Sequence, residues 1–479
     1  MKNRSRGTVL YRTAVMFITT FGIARAQVAS TRQSLPDAPS SDFLALASQQ
    51  GSNPRPDNSG HYPATSNGTA DTLPKLTRSQ AQQMASKNNP RISVARLLTL
   101  AQHQVVRETR ASRMPTSAAN LTAVQAENAS RISAGFLNTP SLFEHAGAGA
   151  NFSQLITDFG RTNNLVAFSK LQERAQDASA QATANDIVIA TDQAFYNALQ
   201  AQALYKVAVQ NVSTRQTTES QVRELTRNKL KSTLDLSFVD VNLSQAKLLL
   251  LDAENNVHAS MAALDAVLGL DHEVNYDLVD DSQGPQAPPA DVNQLVQLGL
   301  QQRPDLQAEE FNQQAAVRYA RAQRDQVLPS ITAAGTVGTV PVRADQYVTN
   351  WWGAVGVNVS IPIFNGFLYS AEAKEATIRA QAAVERSRDL RDQIVRDIRT
   401  AWLAANTSYQ RVSVAQQLLQ QASLSLQLAQ TRYQMGLSSI VELSQAQYQQ
   451  TDAAIGSANA ESQYRLALAT LNYQTGATP

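Results

Sequence analysis

The chain has 479 residues, with 41 Lys plus Arg against 39 Asp plus Glu, five His and no Cys. A balance so close to neutral, with no clustered basic surplus, argues against a nucleic-acid binder. Zero cysteine excludes a disulfide framework, a thiolate metal site and a lipid anchor on an N-terminal Cys, and it suits an oxidising compartment.

The N-terminus has a secretory layout. Lys2, Arg4, Arg6 and Arg12 precede the apolar stretch Thr13–Ile23, and Ala24-Arg25-Ala26 supplies an A-x-A cleavage site. Residues 1–26 therefore read as a signal peptide. Residues 27–72, rich in Ser, Pro, Asn and Gly, read as a tail that cannot bury a core. No run of about 18 apolar residues follows, so entry into a membrane would take the form of alternating β-segments of about 10 residues.

From Leu73 the chain states one plan twice. Thr77 with Gln80 makes a capping box, Pro90 follows at +13 and Pro115 comes 25 later; Asp291 with Gln294, Pro304 and Pro329 repeat those spacings. Ala194-Phe195 answers Ala401-Trp402, and Leu268-Gly269 answers Thr475-Gly476, both displaced by 207. The first repeat covers 73–270, a polar Pro-rich linker 271–290, and the second repeat 291–479. Each reads helix, two strands, long helix, turn, long helix.

The expected strands are 118–125, 147–156, 331–340 and 352–361. The last shows the strictest alternation: Val357, Val359 and Ile361 share one face, Asn358 and Ser360 the other. Four strands cannot close a barrel, and an open sheet in lipid leaves edge amides unpaired, so the strands must be pooled between subunits. In the second repeat a 4-3 apolar seam runs from Ile394 and Ile398 through Ala401, Ala405 and Val412 to Tyr433, broken at Ser408. Its counterpart runs from Ile187 to Val212 and then weakens. From Asn365 to Gln434 the chain has neither proline nor a second glycine after Gly366, enough for a helix of roughly 105 Å, and Gly436 stops it.

With IPIFNGF at the strand-to-helix corner, RYQMGLSSIVELSQAQ (Arg432–Gln447) at a helix tip and the paired NP and RP helices, the chain resembles the TolC family of outer-membrane efflux channels over about Leu73–Gly476. The resemblance implies an α+β membrane protein: a long α-helical coiled-coil barrel with a transmembrane β-barrel, four strands per chain and twelve per trimer. It implies a homotrimeric passive conduit, integral in the outer membrane with a large periplasmic part. Its partners would be a periplasmic adaptor, an inner-membrane pump and outer-membrane lipid. An exit duct for type I protein secretion is the sister reading, and an exported structural coiled coil is the reading of another class.

The resemblance also nominates residues. Glu442, with Asp235 as its first-repeat counterpart, would face a periplasmic pore constriction, either as a ring of three carboxylates or as a solvated helix face. Tyr433 would join closed-state contacts there or simply belong to the core. Gln445 stands where the family can carry a second acid. Gly436, Leu437 and Ser438, with Lys229 and Lys231 on the other tip, would meet the adaptor, unless the lysines only solubilise the turn. Lys229 occupies a place where the family usually has glycine. Gly160 and Gly366 mark the strand-to-helix corners. Trp351 and Trp352 would form a membrane-interface girdle, or are ordinary strand aromatics.

No catalytic, cofactor-binding or metal-binding residues are expected. The five histidines (61, 103, 145, 258 and 272) are scattered without metal-ligand spacing, and no phosphate loop, nucleophile elbow or dinucleotide fingerprint appears.

Overall fold

A computed structural model describes residues 74–477 apart from 126–130, 135–136, 142–144, 273, 275, 281–283, 285 and 344–349. The expected signal peptide and tail lie outside the described residues. In chain order come β1 (Lys75–Thr77), α1 (Arg78–Asn88), α2 (Pro90–Ala111), β2 (Thr116–Val124), β3 (Arg131–Ala134), β4 (Leu137–Ser141), β5 (His145–Thr157), α3 (Arg161–Arg227) and α4 (Thr233–Leu268). Then follow β6 (Asp277–Val279), α5 (Val292–Gln302), α6 (Pro304–Arg324), β7 (Ser330–Arg343), β8 (Trp351–Ser360), α7 (Leu368–Gln434) and α8 (Ile440–Gln474).

Neither α3 nor α7 contains a glycine or proline, and each runs for 67 residues, about 100 Å. The seam expected on α7 is inside. Ile394, Ile398, Ala401, Ala405, Val412, Ala422, Ala429 and Tyr433 are buried, and the intervening seam positions are half-buried. On α3 the same rhythm continues past the point where its apolar signal fades, because Arg215, Glu219 and Val222 are buried there. Alanine at so many seam positions lets the axes approach closely.

The helices form a wall one helix thick. Towards the sheet the order is α2–α3–α6–α7; towards the far end it is α4–α3–α8–α7. The change of neighbours happens where α2 abuts the end of α4. There Gly269 adopts φ +74, and a Cβ on it would stand 2.9 Å from the Asn88 carbonyl oxygen, while Asn89 Nδ2 donates to Val267 O at 2.9 Å. Gly476, φ +74, meets Gln302 and Arg303 in the same way. These close approaches explain why Asn89-Pro90 and Arg303-Pro304 pair with Gly269 and Gly476: proline starts one helix where a left-handed glycine ends another.

The strands lie at one end as an antiparallel four-stranded sheet, order β2-β5-β7-β8. The expected strands are present with boundaries shifted by a few residues. Among the described residues no helix makes an extensive contact with either face of the sheet. Its outer strands β2 and β8, of 9 and 10 residues, are each paired on one side only.

The linker was expected to be a plain polar connection, but its described part is tied to the wall. β6 pairs in parallel with β1. Gln202 on α3 donates to Tyr276 O and accepts from the Leu278 amide. Arg465 pairs with Asp280, Tyr464 donates to Gln286 O, and Trp402 Nε1 donates to Pro289 O at 2.7 Å.

Candidate functional site

Two regions carry the nominated residues: the free tips of the two hairpins, and the sheet with its corners. At the α7–α8 tip, Gly436 takes φ +75 and its N–H donates to Tyr433 O at 3.0 Å, while Leu437 N–H donates to Arg432 O at 2.8 Å. This is the paired hydrogen-bond closure of a helix by a left-handed residue. The α3–α4 tip closes identically around Lys229, φ +59, with Lys229 N–H to Thr226 O and Leu230 N–H to Leu225 O. A lysine thus occupies a conformation that costs an L-residue roughly 1 kcal/mol.

Glu442 and Asp235 hold equivalent places in the first turns of α8 and α4 but make different bonds. Asp235 completes a capping box with Ser232: its amide donates to the Ser232 hydroxyl oxygen at 3.1 Å and its carboxylate accepts from the Ser232 amide at 3.3 Å. The Glu442 side chain instead turns back across the tip to Arg432, Oε1 to Nε 3.1 Å, with both side chains about half exposed. Its charge is therefore answered within its own hairpin.

Tyr433 is core. It is 7% exposed, packed with Val222, Val239, Ala429, Ile440, Leu443 and Ala446, and the Lys231 ammonium sits 5.0 Å from its ring centroid. Burial, and next the Asp235 charge, push its hydroxyl above the usual tyrosine range. Among the described residues neither that hydroxyl nor the Ser438 Oγ, both buried, has a hydrogen-bond partner. Leu230, Leu234, Met435 and Leu437 stand exposed around the tips.

Above the tips the two hairpins meet through polar groups. Gln200 donates to Asn459 at 2.6 Å, Thr451 to Asn211 at 3.3 Å, and Asn242 to Ser444 at 3.3 Å. Arg215 donates to Gln447 at 2.7 Å, and Gln447 donates to Thr218 at 2.9 Å. Burial lowers the Arg215 pKa below its ordinary value. Sequence periodicity missed these residues, because each finds its partner more than 200 positions away.

In the sheet, pairing register sorts side chains onto two faces. Trp351, Val355, Val357 and Val359 share one face with Ile331, Val337, Phe152 and Leu121. Trp352, Asn358 and Ser360 share the other with Thr332, Thr336, Asn151 and Asn120. The expectation that both tryptophans form one girdle is corrected by this alternation. Trp351, 71% exposed, is on the apolar face, whereas the Trp352 ring lies on the polar face across Gly338, close enough that a Cβ there would meet it at 2.6 Å.

The corners each use two consecutive left-handed residues: Phe159 and Gly160 before α3, Gly366 and Phe367 before α7. Phenylalanine and glycine have exchanged places between the two corners. Asp158 anchors the first by accepting from the Thr162 amide at 2.7 Å. Ile363, Phe364 and Phe367 are largely exposed at the second, with the two phenyl rings edge to face at 5.6 Å. Those corner aromatics went unremarked in the sequence, although the phenylalanines flank both glycines.

Among the described residues no helix is long and apolar enough to cross a membrane, and no cluster of His, Asp or Glu could hold a metal ion. The architecture defines a class: a wall of very long antiparallel helices continued by a short two-faced antiparallel sheet, as in outer-membrane channels. Residues 295–477 match the family described as outer membrane efflux protein. The outer membrane protein TolC of Salmonella enteritidis is 25% identical over 202 residues, 39% of this chain and 41% of that one. The probable efflux pump outer membrane protein TtgC of Pseudomonas putida is 22% identical over 297 residues, 60% of each chain. The alignments thus span about 40–60% of those relatives' length. The crystal structure of CusC superposes with a TM-score of 0.74 at 21% identity, covering 83% of this chain and 92% of that one. The second half of the chain thus matches the outer membrane efflux protein family, and the described fold is that of outer-membrane efflux channels such as CusC.

Proposed function

We propose that the chain is one protomer of a passive homotrimeric conduit, its pooled strands closing a twelve-stranded barrel in the outer membrane and its helices carrying the tunnel across the periplasm. The observation that carries this reading is the sheet. Among the described residues it has one apolar and one polar face, no helix packed extensively on either, two outer strands paired on one side only, and helices of 67 residues running directly from it. An open sheet of this kind is unstable in lipid until its edges are paired. The efflux names of the relatives favour small expelled molecules as cargo over secreted proteins, with an adaptor and an inner-membrane pump as partners. The two halves read as copies of one unit, supported by α3 and α7 of equal length beginning 207 residues apart. Residues 1–26 would direct export and 27–72 would form the N-terminal tail.

In this reading the Val355–Val359 face meets lipid and Asn358 and Ser360 line the lumen. The tips would form the constriction at Glu442 and Asp235 and, with Gly436, Leu437, Ser438, Lys229 and Lys231, the adaptor contact. Purified protein in detergent is expected to run as a trimer with a β-signal and to give discrete conductance steps in planar bilayers. A water-soluble monomer that never conducts, even with the tips mutated open, would overturn the reading.

A further inference from the structure

Just below the sheet, α3 and α6 enclose an open groove of about 470 Å³ whose walls include Lys170, Arg174, Arg318 and Arg321 over the apolar side chains Leu171 and Val317. None of the four cations is ion-paired among the described residues. Of the acids on the same helix segments, Glu173 is engaged by His103 at 2.6 Å and Glu310 by Arg391, and Asp177 accepts from Gln181 at 3.4 Å. Four like charges around one hollow repel one another, and an anion seated among them would relieve that repulsion.

The direction in which the groove opens follows from chirality. The Val340 amide donates to Asn350 O, so Val340 turns its hydrogen-bonding edge towards β8. For L-residues this sets β8 to the right of β7 when the polar face is viewed with the corners below. The helices beneath keep that order, α3 to the left of α6. Their right-handed winding then puts Lys170 and Arg174 on the far side of the wall. That is the side of Val355 and Val357. The Phe168–Tyr319 ring contact, centroids 5.2 Å apart, takes the near side.

The level also suits a bilayer surface. Asn164 donates to Asp325 at 2.8 Å, aligning the top of α3 with the end of α6. Arg321 and Arg318 lie roughly 5 and 9 Å below that end at 1.5 Å per residue, and long basic side chains reach upward to an interface.

We propose that this groove binds the phosphate headgroup of an anionic phospholipid in the leaflet next to the helical wall, with Leu171 and Val317 against its glycerol. The proposal rests on the reading of the chain as an outer-membrane conduit. Native mass spectrometry of the detergent-solubilised full chain, with phosphatidylglycerol or phosphatidylcholine added at equal concentration, tests it. Wild type should retain phosphatidylglycerol at least about tenfold more strongly, since each basic residue near an anionic surface contributes about fivefold. Lys170→Gln/Arg174→Gln/Arg318→Gln/Arg321→Gln should bring that preference to within about twofold. If this variant does not fold, Arg318→Gln/Arg321→Gln should lose a large part of the preference. Ten millimolar inorganic phosphate should leave the preference of wild type intact, and its abolition would make this a free-anion site and end the lipid assignment. A trimer that inserts and conducts but holds both lipids equally overturns the headgroup claim alone. A protein that never enters detergent or lipid removes the conduit reading, and this site with it.

Discussion

Charge neutralisation at the Arg432–Glu442 pair gives the sharpest test of the tip. With the pair intact at 3.1 Å each chain presents a neutral sum, and in the proposed trimer the three copies around the axis present none. Glu442→Gln leaves three unanswered guanidinium groups; Arg432→Gln leaves three carboxylates. For a permeant ion about 10 Å from each, three unit charges in water amount to about 1.2 kcal/mol. Screening at 0.1 M, with a Debye length of about 10 Å, cuts this to roughly 0.4 kcal/mol, a twofold change in ion preference, and about 10 mM salt restores a four- to fivefold change. Reversal potentials under a tenfold KCl gradient should therefore move towards anion selectivity in Glu442→Gln and towards cation selectivity in Arg432→Gln. The double substitution should return close to wild type. Stability should change by less than about 1 kcal/mol, because the pair is half exposed. Shifts in the same direction, or none at low salt, would refute the idea that this pair faces the conduit.

Lys229→Gly should raise the thermal midpoint by relieving about 1 kcal/mol of left-handed strain, and Gly436→Ala should lower it by a similar amount; opposite signs in melting curves are the check. Gly338→Ala should cost about 1–3 kcal/mol by overpacking against the Trp352 ring. Only the ring's share of that cost should vanish when Trp352→Ala accompanies it, as a double-mutant cycle would read, because the Ala148 carbonyl oxygen would still stand 2.8 Å from the same Cβ. Tyr196, 4% exposed, is pushed up to about 12 by burial, with Arg78 opposing the shift and Asp280 and Asp192 adding to it. Because the folded pKa lies above the unfolded value of about 10, its contribution is complete below pH 10 and is lost as pH rises towards 12, roughly 2–3 kcal/mol in all. Tyr196→Phe should flatten the stability profile over that window, and an unchanged profile would exclude the tyrosine as its source.

The long-range order of the fold was legible because it is written in periods. The 4-3 apolar rhythm from Ile394 to Tyr433 needs no partner to be seen, and the prolines at 90 and 304 recur at equal offsets from their caps. What escaped depends on partners remote in sequence or on elements too short to have a period. The three-residue strands β1 and β6 show no alternation. The buried Arg215 looks like a break in the seam until Gln447 arrives from the other hairpin. At the tip, the position of Glu442 was readable, but its partner depended on how the turn folds back. Trp352 is the instructive miss: period-two alternation already assigns adjacent residues to opposite faces, and aromatic identity outweighed it.

The described part of the join between the halves behaves as a clasp. Asp280, Gln286 and Pro289 are each gripped by α7 or α8, while Tyr276 and Leu278 are gripped by α3. A nick near Gly284 would part the covalent chain yet leave both ends fastened. A stretch whose composition resembles slack rope is held fast at both of its described ends.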